Sequence, residues 1–109
     1  MEIMTYQYKN YLWIEIPEEL DQHVADIIRG KCEILLMDSK FKHIVFDFSK
    51  TQFMDSAGVG MIMGRYRQIH MRGGIVYAYH PGKRILRLLE ISGLMRLVEI
   101  CDFEREPED

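Results

Sequence analysis

The sequence is short of the features that mark membrane, secreted and disulfide-stapled proteins. Only 2 of its 109 residues are cysteine, and Cys32 and Cys101 stand in no CxxC or CxxH context. We therefore expect reduced thiols that fill the core. No apolar run approaches the roughly 20 residues that a bilayer span requires, and the first six residues lack the basic start and apolar stretch of a secretory leader. The sequence predicts a cytoplasmic protein.

The composition predicts one small domain. The chain has a mass of 13.0 kDa, with 48% hydrophobic and 28% charged residues, which is too apolar for disorder and too short for a second core. Residues 102–109 are mostly acidic. We expect a domain over 1–101 followed by a frayed acidic tail over 102–109.

Positive charge is concentrated in the middle of a chain whose net charge is −3. Residues 56–96 are rich in Lys and Arg, whereas acidic residues dominate on both sides. No aromatic residues interleave with these basic residues in the pattern of a base-stacking surface. The pattern favours a solvated helix surface over nucleic-acid binding.

Residue patterns predict an α/β fold. Alternation indicates an antiparallel hairpin over 4–8 and 12–16, and apolar runs indicate strands over 44–48, 75–79 and 97–100. The strand at 44–48 is expected to be covered on both faces, at the centre of the sheet. Helices between these strands imply parallel crossovers. The expected fold is a mixed sheet of about five strands covered by three to four helices.

Apolar residues at intervals of three or four predict the helices. The first runs from Leu20 to near Asp38, the second from Ser56 to the glycine pair at 73–74, and the third from Pro81 to Gly93. Partner and ligand sites in such folds gather where strands lead into helix N-termini. The loop 49–56 is therefore the expected site.

The opening of the second helix is unusual because it contains Gly58, Gly60 and Gly64. Each glycine costs about 1 kcal/mol relative to alanine inside a helix. Close packing on the sheet is one explanation, especially for Gly64, and close approach of another backbone or a phosphate is another for Gly58 and Gly60. Ser56 occupies the expected N-cap position, where its hydroxyl would accept a hydrogen bond from the Val59 amide.

Enzyme motifs fail at this segment. A nucleophile elbow needs glycine at position 54, where Met54 stands. A dinucleotide motif starting at Gly58 needs glycine at position 63, which is also methionine. Catalytic chemistry at Ser56 is therefore not expected.

Phosphorylation of Ser56 is the chemistry that remains. A phosphate would add about −1.5 to −2 charge, which a helix N-terminus tolerates. It would also lie beside Asp55 and inside an apolar surface where a docking partner would meet repulsion and a desolvation cost. That expected surface comprises Phe53, Met54, Ala57 and Met61.

The run from Phe53 to Gly60, followed by Gly64-Arg65-Tyr66-Arg67-Gln68-Ile69, resembles the phosphorylation segment of the STAS-domain anti-sigma factor antagonists, a family of bacterial anti-anti-sigma factors. Ile91-Ser92-Gly93-Leu94 resembles the end of that family's third helix. The order of elements agrees over residues 4–100.

This resemblance implies a switch in transcription regulation, in pathways that include sporulation, without catalysis or a cofactor. The unphosphorylated protein binds an ATP-dependent serine kinase that is also the anti-sigma factor, which releases sigma. Phosphorylation of Ser56 breaks the contact, and a PP2C-type phosphatase restores it. Neither nucleic acid nor a membrane is contacted directly. The expected partner-binding residues are Asp21, Phe53, Met54, Asp55, Ala57, Gly58, Val59 and Gly60.

Asp21 belongs to the triplet Glu19-Leu20-Asp21, which resembles the partner-contacting loop of the family. Glu18 stands where members of the family usually have glycine.

Two other functions compete with this one. A STAS scaffold or sensor module would use Ser56 only as a helix cap. A response-regulator phosphoacceptor would use Asp47 with Lys83, but the acidic pair that its metal site needs is missing after the first strand. The four histidines do not fall at the spacing of a helical metal-ligand pair, so no metal is expected.

Overall fold

The computed structural model describes residues 1–101 and contains seven strands, three α-helices and one 3₁₀ turn in that range. The strands are β1 (Thr5–Tyr8), β2 (Tyr11–Glu15), β3 (Glu19–Leu20), β4 (His43–Asp47), β5 (Phe53–Met54), β6 (Val76–Tyr79) and β7 (Glu99–Cys101). The helices are α1 (Gln22–Leu35), α2 (Ser56–Met71) and α3 (Lys83–Ile91), and the 3₁₀ turn is Leu94–Arg96. The predicted frayed tail over 102–109 lies outside the described residues.

Five strands form one mixed sheet in the order β1-β2-β4-β6-β7. The β1–β2 hairpin is antiparallel and the remaining neighbours are parallel, which confirms the predicted α/β class. Because the crossovers from β2 through β4 and β6 to β7 all advance in one direction, right-handed connections place α1, α2 and α3 on the same face of the sheet.

The core lies between this face and the helices. Alternate strand residues such as Ile14, Ile44 and Phe46 are at most 1% exposed and pack in one cluster with apolar residues of all three helices. Strand alternation sends the intervening residues to the opposite face.

β4 is also covered on that opposite face, as predicted, and the cover consists of aromatic side chains. Val45 is 0% exposed and lies between Trp13 and Tyr77 in the strand register. The Trp13 ring lies 5.1 Å from that of Tyr79, and its Nε1–H donates to Asp47 Oδ2 over 3.3 Å. Among the described residues, aromatic side chains rather than a second helix layer shield the strand, and desolvation raises the pKa of Tyr77 to about 12.

Several predicted boundaries were wrong by a few residues. The first helix ends at Leu35 rather than near Asp38, because Leu36 closes it with a hydrogen bond to the Cys32 carbonyl. The third begins at Lys83 with Gly82 as its N-cap, so Pro81 lies outside it. The last strand begins at Glu99 rather than at residue 97, because a 3₁₀ turn precedes it.

None of the helices in the described part of the chain is both long and apolar enough to cross a membrane. Of the two predicted core thiols, Cys32 is buried whereas Cys101 is only partly covered.

Candidate functional site

Two loops that are distant in sequence meet at the carboxyl edge of the sheet. Strands β3 and β5 pair in parallel, with Glu19 opposite Phe53 and Leu20 opposite Met54. The Glu18 carbonyl accepts from both the Gln52 and Phe53 amides, at 2.8 and 3.2 Å. This short ladder holds the loop before α1 against the loop before α2.

Asp55, rather than Ser56, is the N-cap of α2. Its carboxylate Oδ1 accepts from the Ala57 amide at 2.9 Å and from the Gly58 amide at 3.3 Å. The Val59 amide donates to the main-chain carbonyl of Asp55, not to the Ser56 hydroxyl. The predicted serine cap was therefore wrong by one residue, because the ladder fixes Asp55 through its own amide, which donates to the Leu20 carbonyl at 3.2 Å. A carboxylate there also complements the helix dipole.

Ser56 is the first residue of α2 and is exposed. Within residues 1–101 its hydroxyl makes no hydrogen bond. The Ser56 side chain therefore takes no part in holding the helix end.

Asp21 has the same structural role at α1 that Asp55 has at α2. Its Oδ1 accepts from the Val24 amide at 3.0 Å, and its side chain is partly exposed. The two acidic caps directly follow the paired residues Leu20 and Met54. Two helix N-termini and two carboxylates thus face the same edge of the domain.

Three residues of the expected partner surface are buried, which corrects that part of the prediction. Met54 is 2% exposed, Met61 is 0% exposed and Gly58 is buried beneath the first turn of α2. A Cβ at Gly58 would stand 2.8 Å from both Leu20 Cγ and Met54 Cγ. The helix can lie this close to the ladder only because residue 58 has no side chain. The three buried residues therefore support the exposed surface rather than form part of it.

The exposed part of the site has Phe53 as its apolar centre. The Phe53 side chain is 45% exposed, and Ser56 and Gly60 are also exposed. Ala57 and Val59 are half-buried and pack against the core cluster. Glu18, directly before β3, and Glu19, in β3, add exposed carboxylates.

Gly60 and Gly64 differ from Gly58 in their surroundings. No atom outside the local helix lies within 4 Å of a Cβ built at either position. Packing on the sheet, one explanation considered for Gly64, is therefore wrong. At Gly58 the nearest atoms belong to the Leu20 and Met54 side chains, so packing within this chain accounts for that glycine. Close approach of another backbone or a phosphate to Gly58 and Gly60 stays a prediction.

No metal centre accompanies the site in the range that the structure covers, and the Cys32 thiol is buried. No three His, Cys, Asp or Glu side chains converge there. Burial raises the pKa of Cys32 to about 11, and the nearby Arg65 guanidinium opposes this only in part. The raised pKa keeps this buried thiol in its protonated form at neutral pH, and the thiolate is the reactive form.

The β3–β5 ladder and the paired caps were missed by sequence reasoning. The available signal was the aspartate that stands directly before both α1 and α2, since aspartate is among the strongest N-cap residues. The two-residue strands themselves have no readable periodicity.

Comparisons with known proteins agree over nearly the whole chain. A STAS domain profile matches residues 2–106. An anti-sigma F factor antagonist of Paenibacillus polymyxa is 33% identical over 104 residues, which cover 95% of this chain and 89% of that protein. An anti-sigma-B factor antagonist of Bacillus subtilis is 27% identical over 94 residues, which cover 86% and 84% of the two chains.

A solved structure shows the same fold. The phosphorylated form of the Bacillus cell fate determinant SpoIIAA aligns with a TM-score of 0.74 at 25% identity, and covers 92% of this chain and 91% of its own.

Proposed function

The chain belongs to the STAS-domain family, and from that premise we propose that it is an anti-sigma factor antagonist switched by phosphorylation of Ser56. The unphosphorylated protein binds an anti-sigma factor that is also an ATP-dependent serine kinase, and so releases a sigma factor in the cytoplasm. The kinase phosphorylates Ser56 and is freed, and a PP2C-type phosphatase resets the switch. The antagonist relatives and the phosphorylated form of SpoIIAA support this proposal.

The observation that carries the proposal is the division of labour between Asp55 and Ser56. The carboxylate caps the helix, while the hydroxyl beside it is exposed and makes no hydrogen bond within residues 1–101. A kinase can therefore reach the hydroxyl, and modification removes no hydrogen bond that the fold uses.

The same geometry explains why a phosphate would end the contact. Transfer requires that the kinase hold the γ-phosphate of ATP close to Ser56 Oγ. A phosphate already on Ser56 would then face the phosphates of the kinase nucleotide, with Asp55 adding further negative charge. Burying these like charges together destabilises the complex by more than the apolar contact of Phe53 stabilises it.

A regulatory role is favoured over catalysis. The relatives are antagonists by name, and within residues 1–101 no histidine or other base forms a hydrogen bond to Ser56. A serine nucleophile depends on such a base.

The test combines phosphosite mapping with binding measurements. We expect the anti-sigma factor from the source genome, incubated with ATP and the wild-type chain, to place phosphate on Ser56, as read by mass spectrometry. Ser56→Ala should bind this kinase but accept no phosphate. Ser56→Asp should bind at least about tenfold more weakly, which corresponds to about 1.4 kcal/mol.

Ser39→Asp serves as the matched control, because Ser39 is exposed in the turn after α1, away from the site. It should bind like wild type. Tight binding by Ser56→Asp, equal to that of wild type, would contradict the switch. Kinase binding without phosphate on Ser56 would favour the alternative function, a STAS scaffold or sensor module in which this serine is not modified.

A further inference from the structure

A cleft opens beside the switch, at the edge where β1 starts and β2 ends. Its volume is about 470 Å³, and its rim includes Glu2, Glu15, Glu18 and Lys50. A smaller hollow of about 90 Å³ continues it and shares Glu15 and Lys50. The cleft therefore lies at the carboxyl edge of the parallel strands, on the same side of the domain as Ser56.

The chemistry of this cleft is amphipathic and negative. Ile3 and Ile16 form an apolar floor, and Met4 and Pro17 add apolar wall. Three carboxylates stand around the rim against one ammonium. Within residues 1–101 none of the four charged side chains forms an ion pair.

The floor and the rim of the cleft are hydrogen-bonded to the segment that leads to Ser56. The Thr51 hydroxyl donates to the Ile16 carbonyl at 3.2 Å, and the Glu18 carbonyl accepts from the Gln52 and Phe53 amides. A protein that docks on Phe53 therefore comes within reach of Glu18, which belongs to both surfaces.

We propose that the cleft receives a lysine or arginine side chain of the anti-sigma factor. This inference rests on the function proposed above and adds the chemistry of the contact. The methylene stem of such a side chain packs on the apolar floor while its charged head meets the unpaired carboxylates. A basic group fits the charge of the rim, whereas an acidic or purely apolar group would leave the carboxylates unpaired and desolvated.

The location of the cleft makes this contact separate from the phosphate switch. The basic side chain lies against Glu15 and Glu18, whereas the phosphate changes the surface at Ser56. The cleft thus contributes affinity and orientation, and phosphorylation decides whether docking occurs.

The experiment compares variants that change the cleft charge in opposite directions. Binding of each variant to the anti-sigma factor from the source genome, with the anti-sigma F factor of Paenibacillus polymyxa as second probe, is measured by surface plasmon resonance at several salt concentrations. We expect Glu15→Gln/Glu18→Gln to weaken binding about tenfold, mainly through a slower association rate and with a shallower salt dependence. Lys50→Gln should strengthen binding.

Glu33→Gln is the matched control, since Glu33 is an exposed carboxylate near the opposite end of α1. It should bind like wild type. The inference is overturned if the double variant binds as tightly as wild type, or if Lys50→Gln weakens binding to the same extent. Failure of the proposed function looks different, because wild type itself then fails to bind the kinase, or binds no better than Ser56→Asp.

Discussion

Adding one methyl group at each of two neighbouring glycines of α2 should have opposite effects on stability. At Gly58 a new Cβ would lie 2.8 Å from Leu20 Cγ and from Met54 Cγ, both on the β3–β5 ladder. At Gly60 the same atom would meet nothing within 4 Å. The two substitutions share chemistry, helix and turn, so their difference isolates packing against the ladder.

The magnitudes follow from two opposing effects. Alanine is favoured over glycine in a helix by up to about 1 kcal/mol, and this effect stabilises both variants. Forcing a methyl group into a well-packed site costs roughly 1–3 kcal/mol, and this effect destabilises Gly58→Ala alone. We expect Gly58→Ala to be destabilised by about 1 kcal/mol and Gly60→Ala to be stabilised by about 0.5–1 kcal/mol. A difference of about 2 kcal/mol separates their Tm values by about 8 °C or more.

Urea unfolding followed by far-UV circular dichroism at pH 7.5 measures both free energies of unfolding. Gly64→Ala is a second control, because Gly64 also has open space around its Cβ position and should behave like Gly60→Ala. A Gly58→Ala protein as stable as Gly60→Ala would refute the assigned packing of α2 on the ladder.

Two further predictions concern the helix cap and a half-buried histidine. Asp55→Ala removes the acceptor of the Ala57 and Gly58 amides and should lower the free energy of unfolding by about 1 kcal/mol. Asp55→Asn should retain most of the wild-type stability. Unchanged stability of Asp55→Ala in urea titrations would contradict this cap. His43 Nδ1 accepts from the Ile75 amide at 3.0 Å, and burial holds the pKa of His43 below its usual 6.5. Because His43 is then protonated at a higher pH in the unfolded chain than in the folded protein, the free energy of unfolding should fall as the pH drops below about 6.5. Urea titrations at several pH values measure this fall. If wild type and His43→Gln showed parallel pH profiles, His43 would not be its cause.

The main sheet was predictable because its signals are local and repeated. Five strands with alternating or dense apolar residues, and helices with a period of three to four, identify the α/β class. The aromatic cover of β4 was not predictable in this way, since the run 44–48 reads as buried on both faces whether helices or aromatic rings shield it. Only the strand register, which sets Val45 between Trp13 and Tyr77, decides between them.

The candidate site was predictable in position but not in its contacts. The loop before α2 was expected from the topology, and Ser56 from its place at a helix start. The ladder was not, because two-residue strands have no period, and their pairing joins residues far apart in sequence. The three glycines at 58, 60 and 64 are also indistinguishable in the sequence, although of these three only Gly58 has neighbours that exclude a side chain.

The identity of the cap decides what a phosphate on Ser56 would do to the domain. Had the serine hydroxyl capped α2, phosphorylation would have altered a hydrogen bond that holds the helix, and the fold and the interface would have changed together. Because Asp55 accepts from the Ala57 and Gly58 amides instead, the modification adds charge to the surface without removing a contact beneath it. Variants of Ser56 therefore report on partner binding with the fold intact, whereas variants of Asp55 report on both.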